Sequence, residues 1–239
     1  MTLQPRERII LALDVPDHAS AVEMVDLFKD HLEVFKVGLE LFTSAGPDIV
    51  RYIHEAGKKV FLDLKFHDIP NTVKKSALAV AKLGVFMFNV HTLGGQEMMS
   101  QAAKALGNYA LQNNVARPKL IGVTILTSMD QATMKDELGI GLSLSAQVRH
   151  LATMASRSGL DGVVASAEEA EALRSKFGKG FLIVTPGIRP SWAATDDQKR
   201  IVTPRKALQM GSDYLVIGRA ITAQPDPVMA LKRVISELD

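Results

Sequence analysis

Val60-Phe61-Leu62-Asp63-Leu64-Lys65-Phe66-His67-Asp68-Ile69-Pro70-Asn71-Thr72 sets an apolar run, a cluster of charge and a helix start in immediate succession. Val60-Phe61-Leu62 reads as a strand entering a core. Side chains two apart on a strand share a face, so Asp63 and Lys65 project together and Asp68 lies just past the strand end. Two carboxylates and an ammonium at a buried strand end cost desolvation energy unless they are paired. An isolated D-x-K can be a structural ion pair capping a strand, or it can mark a place where charge is used. Pro70 then opens a helical pattern in its first turn, and Gly84 closes it. The stretch is therefore one strand-to-helix unit with its charge at the junction.

The same alternation recurs on both sides of it. Apolar runs at 8–13, 34–38, 60–64, 86–90, 120–125, 162–165, 181–185 and 214–217 are rich in Val, Ile, Leu and Phe and show little apolar/polar alternation. That is the pattern of parallel strands covered on both faces. Helical patterns lie between and after them, at 19–31, 39–56, 70–83, 96–114, 143–158, 166–177, 204–210 and 227–238, and Gly57, Gly159, Gly178 and Gly211 stand at stop positions. Eight such units predict an α/β fold, a single-domain (β/α)8 TIM barrel over residues 1–239, rather than a doubly wound open sheet. Two connections are long, 127–142 and 186–202. In a barrel both would lie at the C-terminal, catalytic face.

Bulk composition removes several function classes. The chain has 239 residues, 47% of them hydrophobic, with a formal net charge of +2 and no cysteine. Disulfides, thiolate nucleophiles and cysteine-ligated metals are excluded, and a reducing, cytoplasmic location is expected. Lys199-Arg200 with Arg205-Lys206 is too short a basic cluster for a nucleic-acid stripe. No apolar run of about 18 residues suggests a membrane span, and the polar N-terminus does not read as a signal peptide. The histidines have no metal-ligand spacing, and no cofactor motif is visible. His91, at the end of the fourth strand, is best placed for chemistry but reads more simply as a packed residue.

The charged residues fall at strand ends. Asp14 ends the first strand, Lys36 lies within the second, and Asp63 and Lys65 end the third, with Asp68 just beyond. Alternating charges on adjacent strands of one barrel are a poor stability device. Lys36, in an otherwise apolar strand, is expected to point inward and to be held charged by nearby carboxylates. The eighth strand runs into Gly218-Arg219, where barrels often bind phosphate. Gly218 would let backbone N–H groups approach an anion, and Arg219 offers a bidentate donor. Arg189 could add a second contact. Thr127 and Ser128 could bond a polar ring, or could simply be turn residues.

At these positions the chain resembles orotidine 5′-phosphate decarboxylases of the bacterial type. The resemblance is carried by Leu11-Ala12-Leu13-Asp14, Phe35-Lys36-Val37-Gly38, the 63–72 stretch, Thr124-Ile125-Leu126-Thr127-Ser128, Thr185-Pro186-Gly187-Ile188-Arg189 and Val216-Ile217-Gly218-Arg219-Ala220-Ile221. It implies cofactor-independent decarboxylation of orotidine 5′-phosphate to UMP, the last step of de novo pyrimidine biosynthesis. It implies Lys65 as proton donor to C6, Asp63 against the substrate carboxylate, and Lys36 and Asp68 completing an alternating array. Asp14 and Lys36 would bind ribose. Thr127, Ser128 and Gln198 would hold the pyrimidine, with Gln198 also reaching the phosphate. Pro186, Arg189, Gly218 and Arg219 would line the rest of the substrate site, the last three at the phosphate, and the 186–202 loop would close as a lid. It also implies a homodimer in which Asp68, Ile69 and Thr72 enter the neighbouring site, with no nucleic-acid or membrane partner. A Mg²⁺-dependent sugar-phosphate enzyme of the same barrel group and a non-catalytic nucleotide-phosphate binder are the competing readings. Lys36, Ile69-Pro70-Asn71-Thr72 and Thr127-Ser128 count against the former.

Overall fold

The computed structural model describes residues 3–193 and 202–238. In chain order its elements are β1 (Ile9–Leu13), α1 (His18–Phe28), β2 (Val34–Gly38), α2 (Leu39–Ala45), α3 (Asp48–Glu55), β3 (Lys59–Phe66), α4 (Pro70–Lys82), β4 (Met87–His91), α5 (Gly95–Asn113) and β5 (Lys119–Val123). They continue with α6 (Gln131–Asp136), α7 (Leu144–Arg157), β6 (Gly162–Val164), α8 (Ala167–Phe177), β7 (Leu182–Thr185), α9 (Pro204–Gln209), β8 (Tyr214–Ile217), α10 (Arg219–Thr222) and α11 (Pro227–Ser236). All eight strands pair in parallel and in sequence order, and β8 closes onto β1. The predicted (β/α)8 barrel is what forms.

Period-two alternation sorts the strand residues between two cores. One core lies between the strands and the helices and includes Leu11, Phe35, Leu62, Phe88 and Val163. The other is the plug inside the barrel, with Ile10, Val34, Phe61, Met87, Ile121 and Val184. Each of these buried side chains contributes roughly 1.5–3 kcal/mol relative to exposure. Two residues further along a strand, the side chain again points inward. That rule places Ala12, Lys36, Asp63, Asn89 and Val123 in the layer directly above the plug, toward the C-terminal strand ends.

Helix starts follow local chemistry. Asp17, Ser143, Thr203 and Asp226 accept backbone N–H bonds as N-caps, and Pro70, Pro204 and Pro227 occupy first-turn positions where an N–H is not needed. Several boundaries differ from expectation, among them the following three. The 39–56 segment is two helices, because Pro47 cannot continue the ladder of α2 and Gly46 turns at φ +62°. The long fifth connection contains its own short helix, α6, started by the Asp130 side chain accepting from Thr133 N–H. The third strand runs on to Phe66 instead of ending at 64. In the seventh connection, Ile188 bridges Val202, and Arg189 N–H donates to Val202 O at 3.2 Å. The two stems of that loop are therefore tied together. Residues 194–201 of the expected lid, Gln198 among them, lie outside the described residues.

Candidate active site

The charged end of β3 departs from a regular strand. Leu62 pairs with Phe88 and Phe66 with Val90, so β3 carries two more residues than β4 between those pairings. This bulge holds Asp63, Leu64 and Lys65, and bulges are frequent beside active sites. Within it Lys65 takes φ +51°, a left-handed conformation that costs a side-chain-bearing residue about 1–2 kcal/mol. Lys65 and Asn114 are the two non-glycine residues with positive φ among the described residues, and such strain is often held at functional sites.

Around the bulge the charges alternate in contact. Lys65 Nζ donates to Asp63 Oδ1 at 2.8 Å. Lys36 Nζ lies 3.7 Å from Asp63 Oδ2 and donates to Asp14 Oδ1 at 3.0 Å. The four groups span buried to open positions: the side chains of Lys36 and Asp63 are 10% and 15% exposed, those of Lys65 and Asp14 39% and 54%. Burial pushes the Asp63 carboxyl upward, but the Lys36 and Lys65 ammonium groups and the hydrogen bonds from Lys65 and Asn89 outweigh it and hold the group below its ordinary value. Asp63 is therefore a fixed negative charge at neutral pH.

Glycines keep this cluster compact. A Cβ on Gly38 would lie 2.9 Å from Lys36 Nζ, and one on Gly218 would lie 3.2 Å from Asp14 Oδ2. At each place a side chain would displace a member of the array.

The array forms one wall of a cavity of about 310 Å³ at the C-terminal mouth. Its lining brings together Asp14, Lys36, Asp63, Lys65, Thr127, Pro186, Arg189, Gly218 and Arg219, all candidates from the sequence. Val123, Ile125, Val164, Ile188 and Val216 supply an apolar floor. Arg189 and Arg219 line the same cavity, and neither has an acidic partner among the described residues. The lining thus combines ammonium and carboxylate groups, apolar side chains and two guanidinium groups without an acidic partner among the described residues.

Other expected residues lie elsewhere. Ser128 lines an adjoining cavity between the fifth, sixth and seventh connections. Asp68, Ile69 and Thr72 are exposed outside the cavity of their own chain; Asp68 Oδ1 accepts from Ile69 N–H at 2.7 Å, and Ile69 is 67% exposed. His91 does not line the cavity. Its ring stacks on His67 with centroids 5.4 Å apart, and burial, then His67 and Lys65, hold its imidazole below the ordinary value.

Sequence reasoning passed over one residue at the centre of the network. Asn89 on β4 is fully buried, accepts from Lys65 N–H at 2.8 Å and donates to Asp63 Oδ1 at 2.6 Å. The available signal was an amide in a strand that otherwise reads Met-Phe-Val, at the inward-facing parity. Among the described residues no group of three or more His, Asp or Glu is placed to hold a metal, and no helix is long and apolar enough to cross a membrane.

Comparison with known proteins agrees with this layout. The profile of the orotidine 5′-phosphate decarboxylase / HUMPS family matches residues 7–234. Orotidine 5′-phosphate decarboxylase of Syntrophotalea carbinolica is 50% identical over 238 residues, covering 100% of this chain and 97% of that protein. That of Syntrophomonas wolfei is 49% identical over 238 residues, covering 99% of this chain and 100% of the other. The crystal structure of orotidine 5′-phosphate decarboxylase from Lactobacillus acidophilus superposes with a TM-score of 0.85 at 38% identity, covering 98% of this chain and 99% of that one. The corresponding structure from Pyrococcus horikoshii gives 0.74 at 25% identity, covering 96% and 98%.

Proposed function

Because this chain belongs to the orotidine 5′-phosphate decarboxylase / HUMPS family, we propose that it is an orotidine 5′-phosphate decarboxylase. It forms UMP at the end of pyrimidine biosynthesis without a cofactor, acting as one domain in the cytoplasm. The observation that carries the mechanism is the Lys65 ammonium, held 2.8 Å from Asp63 in the lining of a cavity that Arg189 and Arg219 also line.

Loss of CO₂ from C6 of the pyrimidine breaks the C6–carboxylate bond and leaves the electron pair in the ring plane, with no adjacent group to accept it. Fixed electrostatics must lower that barrier. The Lys65 ammonium stabilises the developing carbanion and transfers a proton to C6, becoming a neutral amine that regains its proton from solvent. Asp63, fixed in its charged form, repels the substrate carboxylate and attracts the ammonium. Both effects favour departure of CO₂. Lys36 keeps Asp63 charged and, with Asp14, binds ribose hydroxyls.

Thr127, Ser128 and Gln198 hold the ring, over the apolar floor that includes Pro186. Arg189, Gly218 and Arg219 bind the phosphate, with Gln198. Binding energy from that remote phosphate lowers the barrier by fixing the reacting carbon beside Lys65. Asp68, Ile69 and Thr72 complete the site of a partner subunit, and their exposure outside their own cavity supports that role. Against a metal-dependent sugar-phosphate reaction, the space between Asp14 and Asp63 is filled by the Lys36 ammonium.

The test is loss of orotidine 5′-phosphate absorbance in EDTA. Rapid conversion to UMP is expected. Folded protein that gives no conversion in EDTA, but acts on a keto-sugar phosphate with Mg²⁺, would overturn the proposal.

A further inference from the structure

The β3 bulge leaves Lys65 N–H without a regular ladder partner, and a buried N–H left unpaired costs about 1–3 kcal/mol. Asn89 takes its place in the ladder. Its Oδ1 accepts the Lys65 N–H at 2.8 Å, while its Nδ2 donates at 2.6 Å to the same Asp63 oxygen that receives Lys65 Nζ. Chemistry fixes the amide's orientation, since a backbone N–H only donates and a carboxylate only accepts. A Val or Leu in this fully buried position would satisfy neither group. A charged Asp would accept the N–H but oppose Asp63. One planar amide thus joins the backbone of the ammonium-bearing residue to the carboxylate that its ammonium must face.

From this geometry we infer that Asn89 is a positioning residue for the reaction, holding Lys65 and Asp63 in register; the inference rests on the decarboxylase reading above. It acts through Lys65 and Asp63, and it is absent from the cavity lining. Its loss affects proton delivery and carbanion stabilisation more than nucleotide binding.

The test compares wild type, Asn89→Ala and Asn89→Asp by steady-state kinetics, UMP titration, and amide hydrogen exchange at Lys65. Asn89→Ala is expected to bind UMP within about threefold of wild type while kcat falls about 100-fold, the scale of a misplacement near 1 Å. Its Lys65 amide should exchange freely where the wild-type amide is protected. In Asn89→Asp, the adjacent Asp63 charge raises the pKa of the introduced carboxyl. While protonated, that carboxyl donates to Asp63 as the amide did. Activity should therefore recover as pH falls over a range where wild type is flat.

Asn89→Ala with kcat within threefold of wild type would overturn the inference, and so would kcat and UMP affinity falling together in proportion. If Asn89→Ala fails to fold, Asn89→Asp decides, and a pH profile parallel to wild type overturns it. An inactive wild type whose Lys65 amide is protected, and is released by Asn89→Ala, would count against the decarboxylase reading and leave the clamp standing.

Discussion

On the proposed mechanism, replacing Lys65 with alanine removes both an ammonium charge and a proton donor, and the two losses can be sized. A unit charge about 4 Å from the developing carbanion contributes roughly 4 kcal/mol at an effective dielectric near 20, about 10³-fold in rate. Positioned acid catalysis contributes a further 10²–10⁴-fold or so. Lys65→Ala should therefore lose about 10⁵-fold or more in kcat. The fold should survive, because Asp63 keeps Asn89 at 2.6 Å and Lys36 at 3.7 Å and is not left as an orphaned charge. UMP should still bind, since Thr127, Arg189 and Arg219 in the cavity lining are untouched. Stopped-flow absorbance on orotidine 5′-phosphate and UMP titration read the two effects separately. Lys65→Gly serves as the backbone control. It relieves the φ +51° strain, so it should melt about 2–4 °C above Lys65→Ala for each kcal/mol recovered. Residual turnover within 100-fold of wild type would refute the donor role. A glycine variant no more stable than the alanine variant would refute the strain.

Three other outcomes are expected. Arg219→Ala should raise KM for the phosphorylated substrate about 10–100-fold, the loss of one charge-assisted bond, and leave turnover of the unphosphorylated nucleoside unchanged; unaltered kinetics would misplace the phosphate end. If Asp68 serves the neighbouring site, inactive Asp63→Ala and Asp68→Ala proteins mixed in equal amounts should regain about a quarter of wild-type activity, from one native site in each heterodimer. Persistent inactivity despite demonstrated subunit exchange would argue against a shared site. Stability should also fall as pH drops below 6.5, because the His91 imidazole is held below that ordinary value in the native state. Between the unfolded and native values the unfolded chain binds a proton that the native chain does not, so acidification there favours unfolding. Urea melts across that window should be flatter for His91→Gln, and identical slopes would discount the histidine.

What could be read in the sequence follows from which rules are local. Continuous apolar strands and capped helices repeat at short range, so eight β/α units, the barrel and the strand-end charges were legible from 63–72 outward. The otherwise apolar strand around Lys36 pointed its ammonium inward. Period-two parity, applied to the strand holding Asn89, would have placed it in the same layer, yet an isolated amide carries less signal than a charge. The bulge was not legible. It depends on the register between β3 and β4, which is a property of two strands, and neither Leu64 nor Lys65 is a residue that favours a left-handed turn. The split at Gly46-Pro47 was readable from proline chemistry, but the apolar periodicity running through it masked the break.

The bulge explains why an unfavourable backbone is kept in an otherwise regular barrel. A regular strand climbs roughly 6.6 Å over two residues, which would carry Lys65 well above Asp63 and toward solvent. Here β3 takes the four residues after Leu62 to reach Phe66 while β4 covers the same pairing interval in two, so the chain between gains little height. The Lys65 ammonium closes to 2.8 Å of Asp63 Oδ1. The left-handed φ of Lys65 and the displaced N–H are the local costs of that compression. The Asn89 amide offsets the second, and the apolar plug beneath offers no softer place for the chain to relax. Positioning of the Lys65 ammonium therefore resides in the backbone of β3 as well as in its side chains. Substitutions that regularise the strand should gain stability while losing turnover.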